Sequence, residues 1–439
     1  MLRGPQSFCA GANESQVRQQ RGECYRPQAE GSCVVAAGRV VIVGAGPAGA
    51  ALAYLLARRG VGVTLLERHR DFARTFRGDG LQPSGIDAFD QMGLGDRLRQ
   101  LPRAIINAID LYQGGRRRAR IATESLGFIG CFVPQPAVLA MLTEESRKHA
   151  SFQLHMGTAV RDLIRTGERV VGVRADGPDG PRDLLADLVI GTDGRYSTVR
   201  KRGAFTELPS AQHFDVLNFM VPFPDFWPDR TTVRLELGPG CLTGGIPTAD
   251  GRLWVGMTIQ KGQYRALHAA GPDGLTEELL HRTSPDLAAH LRANAESLKH
   301  PVLLDVIVNR LETWTSPGLL LLGDAAHPMA PNGGQGINMA LRDALVAANH
   351  LCPVLTRGQA AAIDAAARQV VAERMPEIVA IQEHQRKQTQ TFLRSDRFSS
   401  RLAMRLLPLL ARSGGLLRLL AGKRLQSLQN GVVPVRLTA

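Results

Sequence analysis

The stretch RVVIVGAGPAGAALAYLLARRGVGVTLLE, residues 39–67, decides the fold. Its apolar residues Val40–Val43 predict a buried parallel strand, because they are β-branched and lead directly into a glycine-rich turn. Pro47–Arg59 follows as a helix rich in Ala and Leu that ends at Gly60. Gly62–Leu66 has the composition of a second short strand. The stretch therefore predicts a complete βαβ unit.

The turn between the first strand and the helix has the spacing of a dinucleotide-binding site. Gly44 permits the tight turn, Gly46 lets the backbone approach a pyrophosphate, and Gly49 lets the helix pack closely against the strand. The helix N-terminus then faces the phosphates. Glu67 follows at the end of the second strand, where its carboxylate can accept hydrogen bonds from both ribose hydroxyls of an adenosine. These residues predict a bound dinucleotide but leave FAD and NAD open.

Two later segments resemble motifs of a known family. DLVIGTDGRYSTVR, residues 187–200, resembles the DG motif of the class A flavoprotein monooxygenases, the family of p-hydroxybenzoate hydroxylase and the ubiquinone-pathway hydroxylases. GLLLLGDAAHPMAPNGGQGIN, residues 318–338, resembles the GD motif of the same family. The three motifs span residues 39 to about 351. The resemblance implies that the dinucleotide is non-covalent FAD and that NAD(P)H is a co-substrate.

The resemblance also assigns individual residues to the cofactor. Arg77 matches a position where an arginine reaches the FAD phosphate or ribose, although a solvated Arg77 is the alternative. Gln135 matches a position where Gln or Arg contacts FAD. The predicted cofactor-binding residues are Gly44, Gly46, Pro47, Ala48, Gly49, Glu67, Arg68, Arg77, Gln135, Asp193, Gly194, Asp324, Pro331, Gly333, Gly334, Gln335, Gly336, Ile337 and Asn338.

The GD segment also has a physical interpretation. The apolar run Leu319–Leu322 predicts a strand that places Asp324 at its end, where a carboxylate can accept a hydrogen bond from a ribitol hydroxyl. The loop Pro331–Gly336 leads into a helix that begins near Ile337, so backbone N–H groups and a positive helix end meet at one spot. These donors would stabilise the flavin's pyrimidine edge, which becomes anionic on reduction. By resemblance His327 belongs to the structural part of the motif, and we expect it to pack or to position the flavin.

The pattern of elements predicts an α/β chain. The resemblance implies a GR2-like Rossmann-type FAD-binding fold with an interleaved, mostly β substrate domain and C-terminal helices. Further helices are predicted at Ala137–His149 and Leu275–Ser297, and further strands at Arg169–Ala175 and Leu184–Ile190. The strands predicted for a second sheet are Val216–Val221, Val233–Leu237, Cys241–Pro247 and Arg252–Ile259. The predicted domains are a disordered leader at 1–38, a discontinuous FAD-binding domain at 39–80, 130–200 and 301–357, a substrate domain at 81–129 and 201–300, and a C-terminal helical region at 358–439.

The resemblance implies an FAD-dependent monooxygenase that hydroxylates or epoxidises a small aromatic, polyketide-like or isoprenoid-like substrate with NAD(P)H and O2, through a C4a-hydroperoxyflavin. An FAD-dependent reductase or dehydrogenase on the same scaffold and a non-enzymatic flavin-binding protein remain alternatives. No catalytic residue is predicted. Arg234 and Glu236 alternate onto one face of a strand, which solvent exposure explains equally well, and Tyr264 is a candidate only in principle.

The net charge of +13 first suggests an anionic partner. The excess lies mostly between Arg386 and Arg424, however, and with 5% aromatic residues and no nucleic-acid-binding motif we expect no nucleic acid. Arginines at helical spacing from Arg394 to Arg405 lie beside leucines. A helix that packs on the flavin domain with a basic solvent face is preferred to a peripheral membrane contact.

The remaining composition predicts an ordinary globular protein. Its six cysteines are scattered, so we expect reduced thiols and no metal site. The first residues lack the apolar stretch of a secretory signal, and no transmembrane segment is predicted. The expected location is therefore the cytoplasm, and the oligomeric state stays open.

Overall fold

The computed structural model describes residues 39–73, 79–124, 130–210, 214–238, 241–393 and 430–439. All of these belong to one compact unit, Ala36–Ala439. The predicted leader 1–38, the predicted cofactor contact Arg77 and the arginine-rich segment 394–429 lie outside the described residues.

The described chain alternates strands and helices over most of its length. In chain order the strands are β1 (Arg39–Val43), β2 (Gly62–Leu66), β3 (Gly80–Leu81), β4 (Ala104–Ile106), β5 (Ala108–Gln113), β6 (Arg116–Ala122), β7 (Gly130–Phe132), β8 (Phe152–His155), β9 (Ala159–Thr166), β10 (Arg169–Gly177), β11 (Gly180–Leu185), β12 (Leu188–Gly191), β13 (Glu207–Ser210), β14 (Phe214–Pro222), β15 (Thr232–Gly238), β16 (Cys241–Pro247), β17 (Arg252–Gln260), β18 (Val302–Leu304), β19 (Val308–Leu311), β20 (Thr315–Ser316) and β21 (Leu319–Leu321). The helices are α1 (Pro47–Ala57), α2 (Pro83–Gln91), α3 (Gly95–Gln100), α4 (Gln135–Arg147), α5 (Thr198–Arg202), α6 (Tyr264–Ala269), α7 (Gly271–His281), α8 (Pro285–Ala293), α9 (Gly336–Leu355) and α10 (Ala360–Leu393), with short 3-10 helices at Ala295–Leu298 and Gly323–Ala325.

The main sheet has six strands in the order β20-β21-β12-β1-β2-β8. β1 lies at its centre and pairs in parallel with β2 and β12, and β12 pairs in parallel with β21. Val40 and Ile42 pack against α1 and α9, whereas Val41 and Val43 pack against the layer that contains β10. This burial on both faces explains the unbroken apolar run of β1. The parallel order brings the carboxyl ends of β1, β2, β12 and β21 to one edge of the sheet.

The strand predicted at Leu184–Ile190 is wrong as a single element. β11 ends at Leu185 and pairs antiparallel with β10, whereas β12 begins at Leu188 and pairs in parallel with β1. Between them, the Asp187 N–H donates to the Arg39 carbonyl oxygen at 2.9 Å, which starts the chain on its path into the main sheet. The two strands belong to different sheets. A continuous apolar pattern does not indicate where a chain changes from one sheet to another.

The helix predicted at Leu275–Ser297 is likewise divided. α7 ends at His281, α8 begins at Pro285, and a 3-10 helix follows from Ala295. Pro285 occupies the first turn of α8, where its missing N–H removes no helical hydrogen bond. A proline at this place begins a new helix rather than continuing the preceding one.

A second sheet has seven strands in the order β18-β14-β17-β16-β15-β5-β6. The four strands predicted for it are present with nearly the predicted bounds. The sheet also contains β5 and β6, which come from residues 81–129, because β5 pairs in parallel with β15. Helices α6 to α8 cover one side of this sheet, where Leu217, Val255 and Leu279 share one apolar core.

The C-terminal part is helical through α10, but residues 431–439 are not, so the predicted helical region is corrected there. These last residues are extended along α9. The Val432 N–H donates to Glu377 Oε1, and the Thr438 N–H donates to Asn349 Oδ1 at 2.7 Å. Side-chain hydrogen bonds hold this segment together with the alternate apolar residues Val435, Leu437 and Ala439, which pack against the core. None of the helices in the described ranges is long and apolar enough to span a membrane.

Candidate active site

The glycine turn after β1 needs its glycines for different reasons. Gly44 has φ +101°, and a Cβ there would lie 2.6 Å from the Thr192 carbonyl oxygen. A Cβ on Gly49 would lie 2.1 Å from the Gly44 carbonyl oxygen, so close packing excludes any side chain at this position. At Gly46, by contrast, the Thr192 carbonyl oxygen at 3.9 Å is the one described atom within 4 Å. The backbone at Gly46 is therefore open to a close-lying group, as a pyrophosphate requires.

Glu67 is buried at the end of β2, beside this turn. Its Oε2 accepts a hydrogen bond from the Ala45 N–H at 3.0 Å, and its Oε1 accepts one from the His69 N–H at 3.0 Å. The carboxylate is thus fixed at the sheet edge where the sequence places it. Arg68 is exposed, and its Nε donates to His69 Nε2 at 3.2 Å.

Asp193 of the DG segment acts within its own loop. Its Oδ2 accepts hydrogen bonds from the Thr198 N–H at 2.7 Å and the Val199 N–H at 3.1 Å, which caps α5. Burial raises the pKa of Asp193, and these hydrogen bonds oppose that rise. Gly194 has φ +83° with open space around a Cβ position. The side chain of Asp193 shapes the segment, and its contact with FAD stays a prediction.

The DG and GD segments are joined by two arginines. Arg195 Nε lies 3.2 Å from Asp324 Oδ2, and Arg200 Nη1 donates to the Ala325 carbonyl oxygen at 2.9 Å. Asp324 stays one-third exposed at the sheet edge. Both arginines lie in the quoted DG segment, but nothing in their spacing indicates that they reach across to the GD segment.

The loop before α9 is held by side chains from two directions. Asn338 Nδ2 donates to the Gly334 carbonyl oxygen at 2.7 Å, and its Oδ1 accepts from the Gln82 N–H at 2.9 Å. Gln82 Nε2 in turn donates to the Gly333 carbonyl oxygen at 3.0 Å. The predicted site residue Asn338 therefore supports the loop, together with Gln82, which the sequence did not single out. No motif marks a glutamine whose task is to hold a distant loop.

The N-terminus of α9 lies next to Asp324. A Cβ on Gly336, the first residue of α9, would lie 3.9 Å from Asp324 Oδ1. Gly333 and Gly334 have φ +80° and +59°, which leave their backbone bare in front of the helix end. A carboxylate, open backbone and a positive helix end at one place fit the ribitol and the pyrimidine edge of a flavin. The residues present at the glycine turn and at the GD loop therefore fit FAD.

His327 lies behind this edge in a buried ionic cluster. Its Nε2 is 2.7 Å from Asp343 Oδ2, and Arg374 Nε is 2.8 Å from Asp343 Oδ1. Burial raises the pKa of Asp343, but the charges and hydrogen bonds of His327 and Arg374 outweigh it and lower this pKa to about 2. Glu377 and Arg342 continue the cluster toward the C-terminal segment. The position of His327 agrees with the packing role expected for it.

Gln135 begins α4, and its N–H donates to Asp79 Oδ1 at 3.1 Å. Burial raises the pKa of Asp79 to about 6, and the hydrogen bond from Gln135 opposes this rise only in part. Asp79 was not singled out in the sequence. Its neighbour Gly80 accepts a hydrogen bond from Asn338 Nδ2 at 3.2 Å, which places this segment beside the GD loop.

The two sides of the second sheet differ in composition. We call the side that carries Asn218, Trp254 and Leu235 the inner face, and the side that carries Leu217 and Val255 the outer face. Strand alternation and register define the two sides. Side chains on the outer face are buried under α6 to α8, whereas most on the inner face are only half-buried. The inner face is therefore the side on which a ligand can reach the sheet.

Arg234 and Glu236 share a face, as alternation predicts, but that face is the outer one. Both are buried, and Arg234 Nε lies 2.7 Å from Glu236 Oε1. Arg234 Nη1 donates to Asp286 Oδ2 at 2.8 Å, and the Arg234 guanidinium stacks 3.7 Å from the centre of the Tyr112 ring. The solvent-exposed interpretation is therefore wrong, and this cluster fastens α8 to the sheet. Tyr264 begins α6 and packs against the outer core.

The inner face turns toward the GD loop. Val216 of the inner face shares a small apolar core with Val308 and with Ala330, which immediately precedes Pro331. The FAD-fitting loop and the inner face thus bound one region of the molecule. Among the described residues, no group of three or more His, Cys, Asp or Glu side chains suits a metal ion.

Comparison with known proteins gives this arrangement a family. Residues 38–377 match the family described as FAD binding domain. The chain is 34% identical to a 6-methylpretetramide 4-monooxygenase of Streptomyces rimosus, over 76% of this chain and 78% of that protein. It is 28% identical to a 3-hydroxybenzoate 6-hydroxylase of Klebsiella oxytoca, over 70% of this chain and 78% of that protein.

Solved structures agree on the fold. The crystal structure of p-nitrophenol 4-monooxygenase from Pseudomonas putida superposes with a TM-score of 0.71 at 19% identity, covering 90% of this chain and 99% of that one. The names of the relatives support oxygen transfer and do not favour the reductase or dehydrogenase alternative. The chain belongs to the FAD binding domain family and is an FAD-dependent monooxygenase of the aromatic hydroxylase type, with NAD(P)H as its co-substrate.

Proposed function

We propose that the chain hydroxylates an uncharged, extended aromatic substrate that binds between the inner face and the GD loop. The observation that carries this proposal is the chemistry of the inner face. Through the middle of β5 and β14 to β17, none of its positions is charged. Its half-buried aliphatic side chains include Ile109, Leu111, Met220, Leu235, Leu237, Leu242 and Ile246.

A surface of this kind favours neutral ligands. Moving a carboxylate from water onto it would leave the charge without a cationic partner, which is strongly unfavourable. Flat aromatic rings, in contrast, bury their faces well against aliphatic side chains and Trp254. One relative is named for 3-hydroxybenzoate, a carboxylate, and another for 6-methylpretetramide. The inner face supports an uncharged substrate rather than a carboxylate.

We assign the cofactor contacts from the geometry of the sheet edge. The open backbone at Gly46 would hold the pyrophosphate, Glu67 the adenosine ribose, and Asp324 the ribitol. The Gly334 N–H donates to the Pro331 carbonyl oxygen, and the other backbone N–H groups from Gly333 to Asn338 would face the pyrimidine edge of the flavin. When bound, FAD supplies an acceptor for the hydride of NAD(P)H and activates O2.

The reaction consumes one NAD(P)H, one proton and one O2 for each substrate, and one oxygen atom enters the substrate while the other leaves as water. The chain's own contribution is to orient the ring and to exclude water. The inner face and the apolar core of Val216, Val306 and Ala330 would close the region against solvent beside the GD loop. We assign no proton transfer to a side chain there, since no charged group stands on the middle of the inner face.

The test compares an uncharged three-ring phenol with a benzoate. Purified protein loaded with FAD is given 1-anthrol or 3-hydroxybenzoate, and NAD(P)H oxidation, O2 uptake and incorporation of 18O are measured. We expect 1-anthrol to accelerate NAD(P)H oxidation and to gain one oxygen atom, and 3-hydroxybenzoate to do neither. Equal or stronger stimulation by the benzoate would reject the assigned substrate class.

A further inference from the structure

We propose that Asn218 is a specificity-determining residue of the hydroxylation site, and that its Oδ1 accepts a hydrogen bond from a hydroxyl or N–H group of the substrate. The substrate ring would lie over Gly244, against the Trp254 indole that covers the neighbouring Gly256 on the inner face. This inference rests on the proposed function and names a contact within the same site. Asn218 would bind the substrate and would take no part in its oxygenation.

Register places the residues in one row across the sheet. Asn218 of β14 is opposite Gly256 of β17, Gly256 is opposite Gly244 of β16, and Gly244 is opposite Leu235 of β15. Directly opposite residues in antiparallel strands point to the same side, about 5 Å apart. The row therefore has an amide at one end, a leucine at the other, and two glycines between them, of which Gly256 is covered by the Trp254 indole and Gly244 is not.

Backbone conformation does not demand glycine at position 244. Its φ is outside the left-handed region, and a Cβ there would meet only Leu235 Cδ2 at 3.5 Å and the Gly256 carbonyl oxygen at 4.0 Å among the described atoms. Both are ordinary contacts, so a larger residue is sterically permitted at this place. The bare backbone at Gly244 leaves a shallow trough in an otherwise apolar face.

Trp254 forms one wall of the trough. A Cβ on Gly256 would lie 2.5 Å from Trp254 Cη2, so the indole lies over Gly256 and needs its missing side chain. Trp254 is half-buried and lies on the inner face. An indole beside a flat floor is a good stacking surface for a planar aromatic ring.

Asn218 supplies the second, independent observation. The residue is 5% exposed, and its Nδ2 donates to the Val302 carbonyl oxygen at 3.1 Å. Its Oδ1 is buried and has no hydrogen-bond partner among the described residues. A buried acceptor without a donor is rare in native proteins and is costly. Because the amide nitrogen donates to the Val302 carbonyl oxygen, Oδ1 is the side-chain atom that remains to accept a hydrogen bond on the inner face.

The position of Asn218 also indicates the size of the substrate. Val216, two residues earlier on β14, shares an apolar core with Ala330 beside the GD loop. Two residues of a strand span about 7 Å, so Asn218 lies roughly that far along the face from the loop. This separation exceeds the width of one benzene ring. The group gripped by Asn218 is therefore expected on a different ring from the carbon that is oxygenated, which favours fused-ring phenols or amides.

The test measures binding to the FAD-loaded protein by flavin fluorescence, with 1-anthrol and its methyl ether, 1-methoxyanthracene, as probes. The ether has the same ring system but no donor. In Asn218→Leu we expect Kd for 1-anthrol to rise at least about tenfold, close to one hydrogen bond, while Kd for the ether changes less than about twofold. An equal loss for both probes would overturn the inference, because Asn218 would then only shape the face.

A second variant leaves Asn218 in place. Gly244→Val fills the trough, and we expect it to weaken both probes at least about tenfold while FAD content stays at one per chain. The control is Thr243→Val, an isosteric change next to Gly244 but on the outer face, which leaves the trough empty; Thr243 Oγ1 has no partner among the described residues. The control should bind both probes like the parent. Unchanged binding of both probes in Gly244→Val would show that the substrate does not lie in the trough.

Failure of the proposed function gives a different result. If the parent protein binds neither probe, the assigned substrate class is wrong and the inference falls with it. If the parent binds both probes but the Asn218→Leu variant does not discriminate between them, the substrate class stands and only the role of Asn218 is rejected. Retained FAD in each variant shows that the protein is folded.

Discussion

Two regions of the molecule bind their ligands in different ways. One is the FAD edge, which is formed by Gly44–Gly49, Glu67, Asp324 and Gly333–Asn338, and the other is the inner face of the second sheet. At the FAD edge, polar groups are held by one another and by the backbone, as Glu67 is by Ala45 and Asn338 is by Gly334. On the inner face, apolar side chains lie in rows with few hydrogen bonds. The first arrangement depends on backbone conformation, and the second only on which side chains fill the surface.

This difference has a consequence for substitution. A cofactor used for every turnover needs binding groups that are fixed in advance. Changes at the FAD edge or behind it should therefore lower both the stability of the protein and its affinity for FAD. A substrate surface tolerates exchange, because a new apolar side chain leaves the sheet's backbone pairing intact. Changes on the inner face should therefore alter ligand affinity and leave the fold in place. The following predictions test this contrast, from the largest expected effect to the smallest.

The ionic cluster behind the FAD edge should give the largest effect. Arg374→Met leaves the buried carboxylates of Asp343 and Glu377 short of a partner, which costs about 3–5 kcal/mol of unfolding free energy. The control is Arg386→Met on the same helix, which breaks an exposed pair with Glu383 of the same i,i+3 kind and should cost less than about 1 kcal/mol. Urea unfolding of both variants measures the difference. Equal small losses would contradict a structural role for the cluster.

Asp79 should make stability depend on pH. Its pKa is raised from 3.8 to about 6 in the folded protein because of burial, so the folded state binds a proton more tightly than the unfolded chain does. Its contribution therefore destabilises the protein progressively as pH rises from about 4 to about 6, by up to about 3 kcal/mol. Asp79→Asn keeps an oxygen for the Gln135 N–H and removes this charge.

Unfolding by urea at pH 5 and pH 7.5 checks the Asp79 prediction. The variant should exceed the parent in stability at pH 7.5 and approach it at pH 5. Asp71→Asn, at an exposed position in the same connection, serves as the control and should show no such difference. If Asp79→Asn and the parent differed in unfolding free energy by the same amount at both pH values, the buried charge of Asp79 would not be the cause of the difference.

Asp324 should affect FAD binding more than folding. Asp324→Ala removes a carboxylate assigned to the ribitol and should raise the Kd for FAD by about 10- to 100-fold, as expected for a hydrogen bond to a charged group. Arg195→Met breaks the ion pair with Asp324 but leaves the carboxylate, so it should weaken FAD binding less. Flavin released on gel filtration is the measurement. Full retention of FAD in Asp324→Ala would reject the assignment of the GD segment.

The same contrast explains what the sequence could predict. Gly44 and Gly49 are demanded by φ and by packing, so their spacing was sufficient to predict the turn, and the family resemblance then indicated FAD. Alternation showed that Arg234 and Glu236 share a face, but not that α8 covers it, because a period of two carries no information about the layer opposite. Asn218 carries no local signal at all. Its meaning depends on Gly256 and Gly244, which only strand register brings beside it.

The smallest effect is expected for the ionic cluster on the outer face. Glu236 accepts hydrogen bonds from the Ser284 N–H at 2.6 Å and from Ser284 Oγ at 2.7 Å, and it pairs with Arg234. Glu236→Gln keeps one acceptor oxygen, and Arg234 retains Asp286, so we expect a loss of about 1–2 kcal/mol in stability. Because these groups lie beneath α8, the Kd for 1-anthrol and the stimulated rate of NAD(P)H oxidation should stay within about twofold of the parent. A large fall in that rate, in a variant that keeps its FAD, would show that the outer cluster reaches the substrate and that the two faces are not independent.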